Sequence, residues 1–141
     1  MDNKNIWSNF KFSDSHEESA FDLLVKQTSY LVEATHGKLK MEVEAVDSYL
    51  DLIPPKPVAL YMLYVVVPTI GNFRKKILTV VEGKVEGRFP VDIMCHIDDQ
   101  RDDDVTKEMF LDKVEEILSR PSVSRSIENL YSQSMDNLIE K

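Results

Sequence analysis

The chain has little of what much small-protein chemistry is built from. Its 141 residues include one cysteine, four glycines and three histidines. A single thiol, Cys95, has no partner for an intrachain disulfide and cannot supply the ligands of a zinc ribbon, so neither device staples this fold. Four glycines leave little material for a phosphate-cradling loop, and no Walker, Rossmann, nucleophile-elbow or HExxH pattern occurs. The sequence therefore implies no cofactor and no catalytic or metal-ligating set. Positive charge is scarce too: 17 Lys and Arg stand against 25 Asp and Glu, a formal charge of −8 and a pI near 4.9. Such a field repels phosphate polymers and anionic bilayers, which argues against nucleic acid and membrane surfaces as partners.

Long hydrophobic runs are missing as well. The longest, Val58 to Val67, covers ten residues, about half of a membrane-spanning helix. The N-terminus, Met1-Asp2-Asn3-Lys4-Asn5-Ile6-Trp7, has no basic segment leading into an apolar stretch, so no secretory signal is read. With the lone thiol, this points to a reducing, cytoplasmic setting.

What is present is an ordinary apolar content, 43%, with aromatics along the whole chain. That suffices for one domain with its own core. Residues 1–14 read as an apolar and aromatic arm carrying Ile6, Trp7, Phe10 and Phe12, and residues 15–141 as a single domain. Ser15 and Glu18 fit a capping box opening a helix whose inward face is Phe21, Leu24, Val25, Thr28, Leu31 and Val32. Gly37 is its left-handed stop.

From Lys38 the period becomes two. Leu39, Met41, Val43 and Ala45 alternate with Lys40, Glu42 and Glu44, the signature of a strand with one wet face. Asp47 to Pro57, with three prolines, reads as a connection. Val58 to Val67 is apolar at every position and predicts an interior strand covered on both faces. Gly71-Asn72 suits a two-residue primed turn into a third strand, Phe73 to Val81. Phe89, Val91, Ile93, Cys95 and Ile97 alternate with polar residues in a fourth. The acidic run Asp98 to Asp104 reads as a solvated cap, with any of Asp102 to Asp104 or Thr106 able to cap the helix that follows. Two helices follow, one burying Phe110, Val114, Ile117 and Leu118, the next starting at Pro121 and burying Val123, Ile127, Leu130, Tyr131, Met135 and Leu138. Strands segregated from helices predict an α+β fold: a four-stranded, mostly antiparallel sheet backed in a second layer by an N-terminal helix and two C-terminal helices.

Cys95 and His96 are strand neighbours and point to opposite faces, so they form no dyad, and Cys95 reads as core. His96, Asp98 and Asp99 are the one place where a small metal-dependent or hydrolytic enzyme has candidate groups, although His-x-Asp is a common accidental spacing. Charge layout is more specific. Between Phe73 and Arg88 five basic residues meet two acidic ones, so a basic hairpin sits on an acidic protein. Its lysines serve either to protect an open strand edge or to contact an acidic protein segment, a phosphate group or the chain's own acidic surface. Helices on one side of the sheet also leave one face of the Val58–Val67 strand to be covered by the N-terminal arm with Trp7 and Phe10, by the last helix crossing over, or by a partner or second copy.

The residues Tyr61, Tyr64, Pro68, Asn72, Phe73 and Arg74, followed by Pro90-Val91 and the Gln133-Ser134 end, resemble a family of small, uncharacterised bacterial α+β proteins with a tyrosine-rich hairpin before a Pro-Val strand. The chain departs from that pattern at Phe73, where a tyrosine is expected, and at Glu82, where a histidine is expected. The resemblance implies a fold and carries no activity. The function expected from these features is a non-enzymatic protein-binding module of adaptor, immunity or chaperone type, with Arg74, Lys75, Lys76, Tyr61 and Tyr64 contacting a protein partner or a second copy of the chain.

Overall fold

The computed structural model describes Ser8, residues 18–84 and residues 88–139. Along the chain come α1 (Ala20–Ala34), β1 (Lys40–Leu50), β2 (Lys56–Val67), β3 (Phe73–Gly83), β4 (Val91–Cys95), β5 (Arg101–Val105), α2 (Lys107–Ser119) and α3 (Pro121–Ile139). The strands form one sheet in the order β1-β2-β3-β4-β5, with each neighbouring pair antiparallel. The α+β class and the three helices agree with the sequence reading, but the sheet has five strands rather than four. The arm expected at residues 1–14 lies, Ser8 excepted, outside the described residues.

The fifth strand is the acidic run read as a helix cap. Arg101-Asp102-Asp103-Asp104 has poor strand propensity, and only Val105 of this strand is buried. Polar contacts hold it instead. The Arg101 guanidinium donates to Asp92 at 3.1 Å, and the Asp104 amide donates to the same carboxylate at 3.0 Å. A register shift between Val91 and Ile93 places Asp104 in the left-handed region at φ 55°. The N-cap of α2 is Thr106.

Helix α1 begins four residues later than the sequence suggested. Its N-cap is Ser19, whose hydroxyl accepts from the Asp22 amide at 3.1 Å while the Asp22 carboxylate accepts from the Ser19 amide at 3.0 Å. Aspartate here does the work of the glutamate in the usual box. Ser15 lies outside the described residues, and Glu18 pairs with Lys26. The buried face is Ala20, Leu23 and Leu24, with Phe21 and Leu31 beside it, whereas Val25 and Val32 are exposed. One position of phase, about 100° on a helix, separates the two stripes. Gly37 stops the helix at φ +80°, its amide donating to the Val32 carbonyl.

Strand β1 continues to Leu50 and β2 starts at Lys56, so most of the expected connection is ladder, with Pro57 opposite Tyr49. A proline is tolerated here because it sits at the second residue of the strand, where one missing amide donor costs little. The β2–β3 connection is longer than two residues. Pro68 to Ile70 form a 3-10 turn, and Gly71 and Asn72 both take positive φ near 60° before β3 begins. Proline fixes the first position of that turn, and the Asn72 amide closes onto the Pro68 carbonyl at 3.4 Å.

All three helices bury their apolar residues in one cluster with Ala59, Tyr61, Leu63, Val65 and Val67 of β2, so they back a single face of the sheet. Phe110, Ile117 and Val123 are fully enclosed there, each contributing about 1.5–3 kcal/mol of burial. On β4 the alternation reads as expected, with Val91, Ile93 and Cys95 buried and Met94 exposed. The opposite face of the sheet carries Val58, Leu60, Met62, Tyr64 and Val66, and no described helix crosses it.

Candidate functional site

On that helix-free face the basic hairpin folds back on its own sheet. The Arg74 guanidinium stacks 4.1 Å from the centre of the Tyr64 ring and lies 3.6 and 3.5 Å from the Glu42 and Glu44 carboxylates. Lys76 stands 6.0 Å from the same ring, and Tyr64 donates to the Met62 sulfur at 3.8 Å. These contacts contribute to the burial of Tyr64, over which no helix lies among the described residues. Arg74 and Lys76 share this face because their ladder partners are Val66 and Tyr64, whereas Lys75 faces Val65 and the helix side. Tyr61 is also on the helix side. Of the five residues assigned to partner contact, the structure therefore brings together Arg74, Lys76 and Tyr64 and separates Lys75 and Tyr61 from them.

Edge protection at the hairpin has a local basis. Strand β3 is the middle of the sheet, but β4 pairs with it only from Leu78 to Val81, so Phe73 to Lys76 have β2 as their one described neighbour. The long free edge is elsewhere. Strand β1 presents eleven residues whose outer side has no strand among the described residues. Its far end is apolar and exposed: Val46, Tyr49 (69% exposed) and Leu50, followed by Leu52 (53%) and a fully exposed Ile53. At the other edge of the sheet, β5 has only five residues and consists mostly of charge, the usual protection against strand addition. Sequence reading missed the β1 edge because Asp47 to Pro57, with its three prolines, looked like a loop, and the apolar residues Val46, Tyr49 and Leu50 follow no single period of two.

His96, Asp98 and Asp99 are not gathered into a cleft. The His96 Nε2 lies 2.6 Å from the Thr79 hydroxyl on the helix-free face, and partial burial, with Lys76 nearby, holds the imidazole below its ordinary pKa. Asp98 accepts from the Gln100 amide at 3.1 Å and from Arg120 at 3.2 Å, while Asp99 sits in a turn at φ 58°. Among the described residues no three His, Cys, Asp or Glu side chains converge on a metal position. Cys95 is fully buried and burial pushes its thiol up, so it offers little thiolate at neutral pH.

A separate polar feature lies on the helix side, where Tyr61 and Glu82 meet. The Tyr61 hydroxyl donates to Glu82 Oε2 at 2.6 Å, and Glu82 is only 6% exposed. Desolvation, then the Glu82 carboxylate, push the tyrosine well above the ordinary phenol range. The other carboxylate oxygen, Oε1, is buried and has no hydrogen-bond partner among the described residues. Both side chains line an open cavity of about 440 Å³, together with Ser19 and Phe21 of the α1 N-terminus and Ala45, Asp47, Ala59 and Lys84. A second cavity, about 650 Å³, separates α1 from α2 and is lined mainly by apolar residues, including Leu24, Leu31, Leu63 and Val114. Glu82 escaped notice as a site residue, although it stands two positions from Val80 on the core face of β3, a phase in which charge is rare.

No protein-family model, curated protein or solved structure matches this chain.

Proposed function

We propose that the chain is a non-enzymatic protein-binding module that takes an extended segment of a protein partner along the outer edge of β1. The observation that carries this reading is the coincidence of an eleven-residue edge, unpaired on its outer side among the described residues, with the exposed Tyr49, Leu50, Leu52 and Ile53 at its end. A free edge offers main-chain donors and acceptors to an incoming strand, and adjacent apolar side chains supply the burial that gives such pairing its affinity. Tyr64, Arg74 and Lys76, seven to nine strand residues from Tyr49, bound the surface at its other end, where Glu42 and Glu44 bring negative charge next to the cations. An adaptor, immunity or chaperone role fits a module of this kind.

The test uses the double variant Tyr49→Asp/Ile53→Asp, which alters two exposed positions. Affinity capture with wild-type bait is expected to retain a partner that the variant loses, with the two proteins melting within a few degrees of each other. A wild-type chain that stays monomeric across concentration and captures nothing overturns the reading. So does equal capture by both baits. Concentration-dependent dimerisation abolished by the variant would assign the edge to a second copy instead.

A further inference from the structure

We infer that the cavity between the α1 N-terminus and the β1–β3 segment of the sheet binds a primary alkylammonium group, with Glu82 as its counter-ion and the Phe21 and Tyr61 rings as its walls. The starting point is an accounting of hydrogen bonds. Buried carboxylate oxygens are ordinarily satisfied, and an unmatched one is costly. Glu82 Oε2 is satisfied by Tyr61, while Oε1 has no donor among the described residues. Ladder register fixes the cast around it. Ala59 stands opposite both Asp47 and Glu82, and Tyr61 opposite Ala45, so all five side chains share the helix side.

Size and chemistry both point to a short cation. Ala45 and Ala59 keep the floor shallow, and the cavity of about 440 Å³ accepts a small organic molecule and not a macromolecule. The rings of Phe21 and Tyr61 have centroids 5.5 Å apart and planes at 57°, an arrangement that presents π-faces and edges to one volume. Ammonium groups are held by carboxylates and aromatic faces together. Asp47 is a second carboxylate at the rim, and its partner Lys84, at 2.7 Å, is the internal ammonium that an incoming amine would have to accommodate. Lys84 at the rim and Arg88 near Tyr61 offset the charges of Asp47 and Glu82, so the ligand is selected by the unmatched Oε1, an acceptor that an anion cannot satisfy. This site is on the helix side and does not depend on strand addition at β1.

Titration of the 15N-labelled full chain with n-butylammonium, n-butanol and an acetylated, amidated lysine tests the assignment. Saturable shifts of the Phe21, Tyr61 and Glu82 amides with n-butylammonium are expected, with n-butanol at least tenfold weaker. Glu82→Gln should weaken the amine at least tenfold. Ala45→Leu, which fills the cavity from an exposed position without touching the carboxylate, should abolish binding and decides the matter if Glu82→Gln fails to fold. The lysine probe separates sources: tighter binding than n-butylammonium assigns the site to a protein side chain, weaker binding to a free amine. No shift at millimolar n-butylammonium, equal binding of butanol, or undiminished binding by either variant overturns the inference.

Discussion

Arg120→Ala is the perturbation whose outcome depends most directly on the placement of the acidic run. Arg120 is the C-cap of α2, with its side chain 15% exposed, and it lies 3.2 Å from Asp98 and 3.0 Å from Asp102, whose side chains are 12% and 21% exposed. It thereby ties the β4–β5 turn and β5 to the junction between α2 and α3. Hydrogen bonds to charged groups contribute about 1.5–3 kcal/mol each, and removing one member of a buried pair typically costs about 3–5 kcal/mol because the remaining charge is stranded. The exposures of 12–21% place this cluster at the low end of that range. We expect a loss of about 3 kcal/mol, a Tm drop of roughly 10 °C for a domain of this size.

Urea and thermal unfolding followed by circular dichroism at pH 7 measure the loss. If stranded carboxylates are its cause, adding Asp98→Asn and Asp102→Asn to Arg120→Met should recover more than half of it. The acid limb supplies an independent check. Burial pushes the Asp98 carboxyl up, but the Gln100 amide, Cys95 and Arg120 outweigh it and hold the group below its ordinary value of 3.8. A depressed folded-state pKa means stabilisation that is complete above the unfolded value and is lost as pH falls through the lower folded value. Wild type should therefore lose part of its stability below pH 3.8, and Arg120→Ala should show a flatter limb there. A loss under about 1 kcal/mol with an unchanged acid limb would refute the reasoning, since a surface pair is worth no more than that.

Four further outcomes are expected. Tyr61→Phe removes the donor to Glu82 Oε2 and should cost about 1–3 kcal/mol in urea melts; an unchanged midpoint would show that the carboxylate finds another partner. Because Tyr61 is raised in the folded state, its contribution is full below the unfolded value of 10.0 and is lost as pH rises above it, so Tyr61→Phe should flatten the alkaline limb. Ser19→Ala breaks the capping box of α1 and should cost about 1 kcal/mol, read as a lowered Tm. At Gly71, φ is +60° and an added Cβ meets nothing within 4 Å, so Gly71→Ala should lose about 1–2 kcal/mol from backbone conformation alone; a neutral result would mean the turn relaxes.

Where burial follows strict alternation or a proline or glycine punctuates the chain, the sequence was readable. Val91, Ile93 and Cys95 against Met94 placed β4 correctly, Pro121 opened α3, and Gly37 closed α1. Strand β5 was not readable because its stability comes from Asp92 and Arg120, residues distant in sequence that turn an acidic segment into a ladder. The phase of α1 was misread by one position because Val25 and Val32 are as apolar as the residues that are buried. Glu82 was noted only as a departure from the resembled pattern, and its pairing with Tyr61 needed the β2–β3 register.

That register explains why the basic residues of the hairpin divide as they do. Leu78 and Val80 face the helices, and uninterrupted alternation would send Lys76 and Arg74 to the same side, toward a core with no place for them. The ladder instead passes from Leu63 opposite Leu78 to Tyr64 opposite Lys76, leaving Ile77 as the extra residue of a bulge. Ile77 and Leu78 are both fully buried, and beyond them the parity of β3 is reversed. One inserted residue thus moves Arg74 and Lys76 to the helix-free face, where Tyr64, Glu42 and Glu44 receive them, and turns Lys75 toward the helices. Composition located a basic hairpin on an acidic chain, whereas the bulge at Ile77 determines which of its charges share a surface.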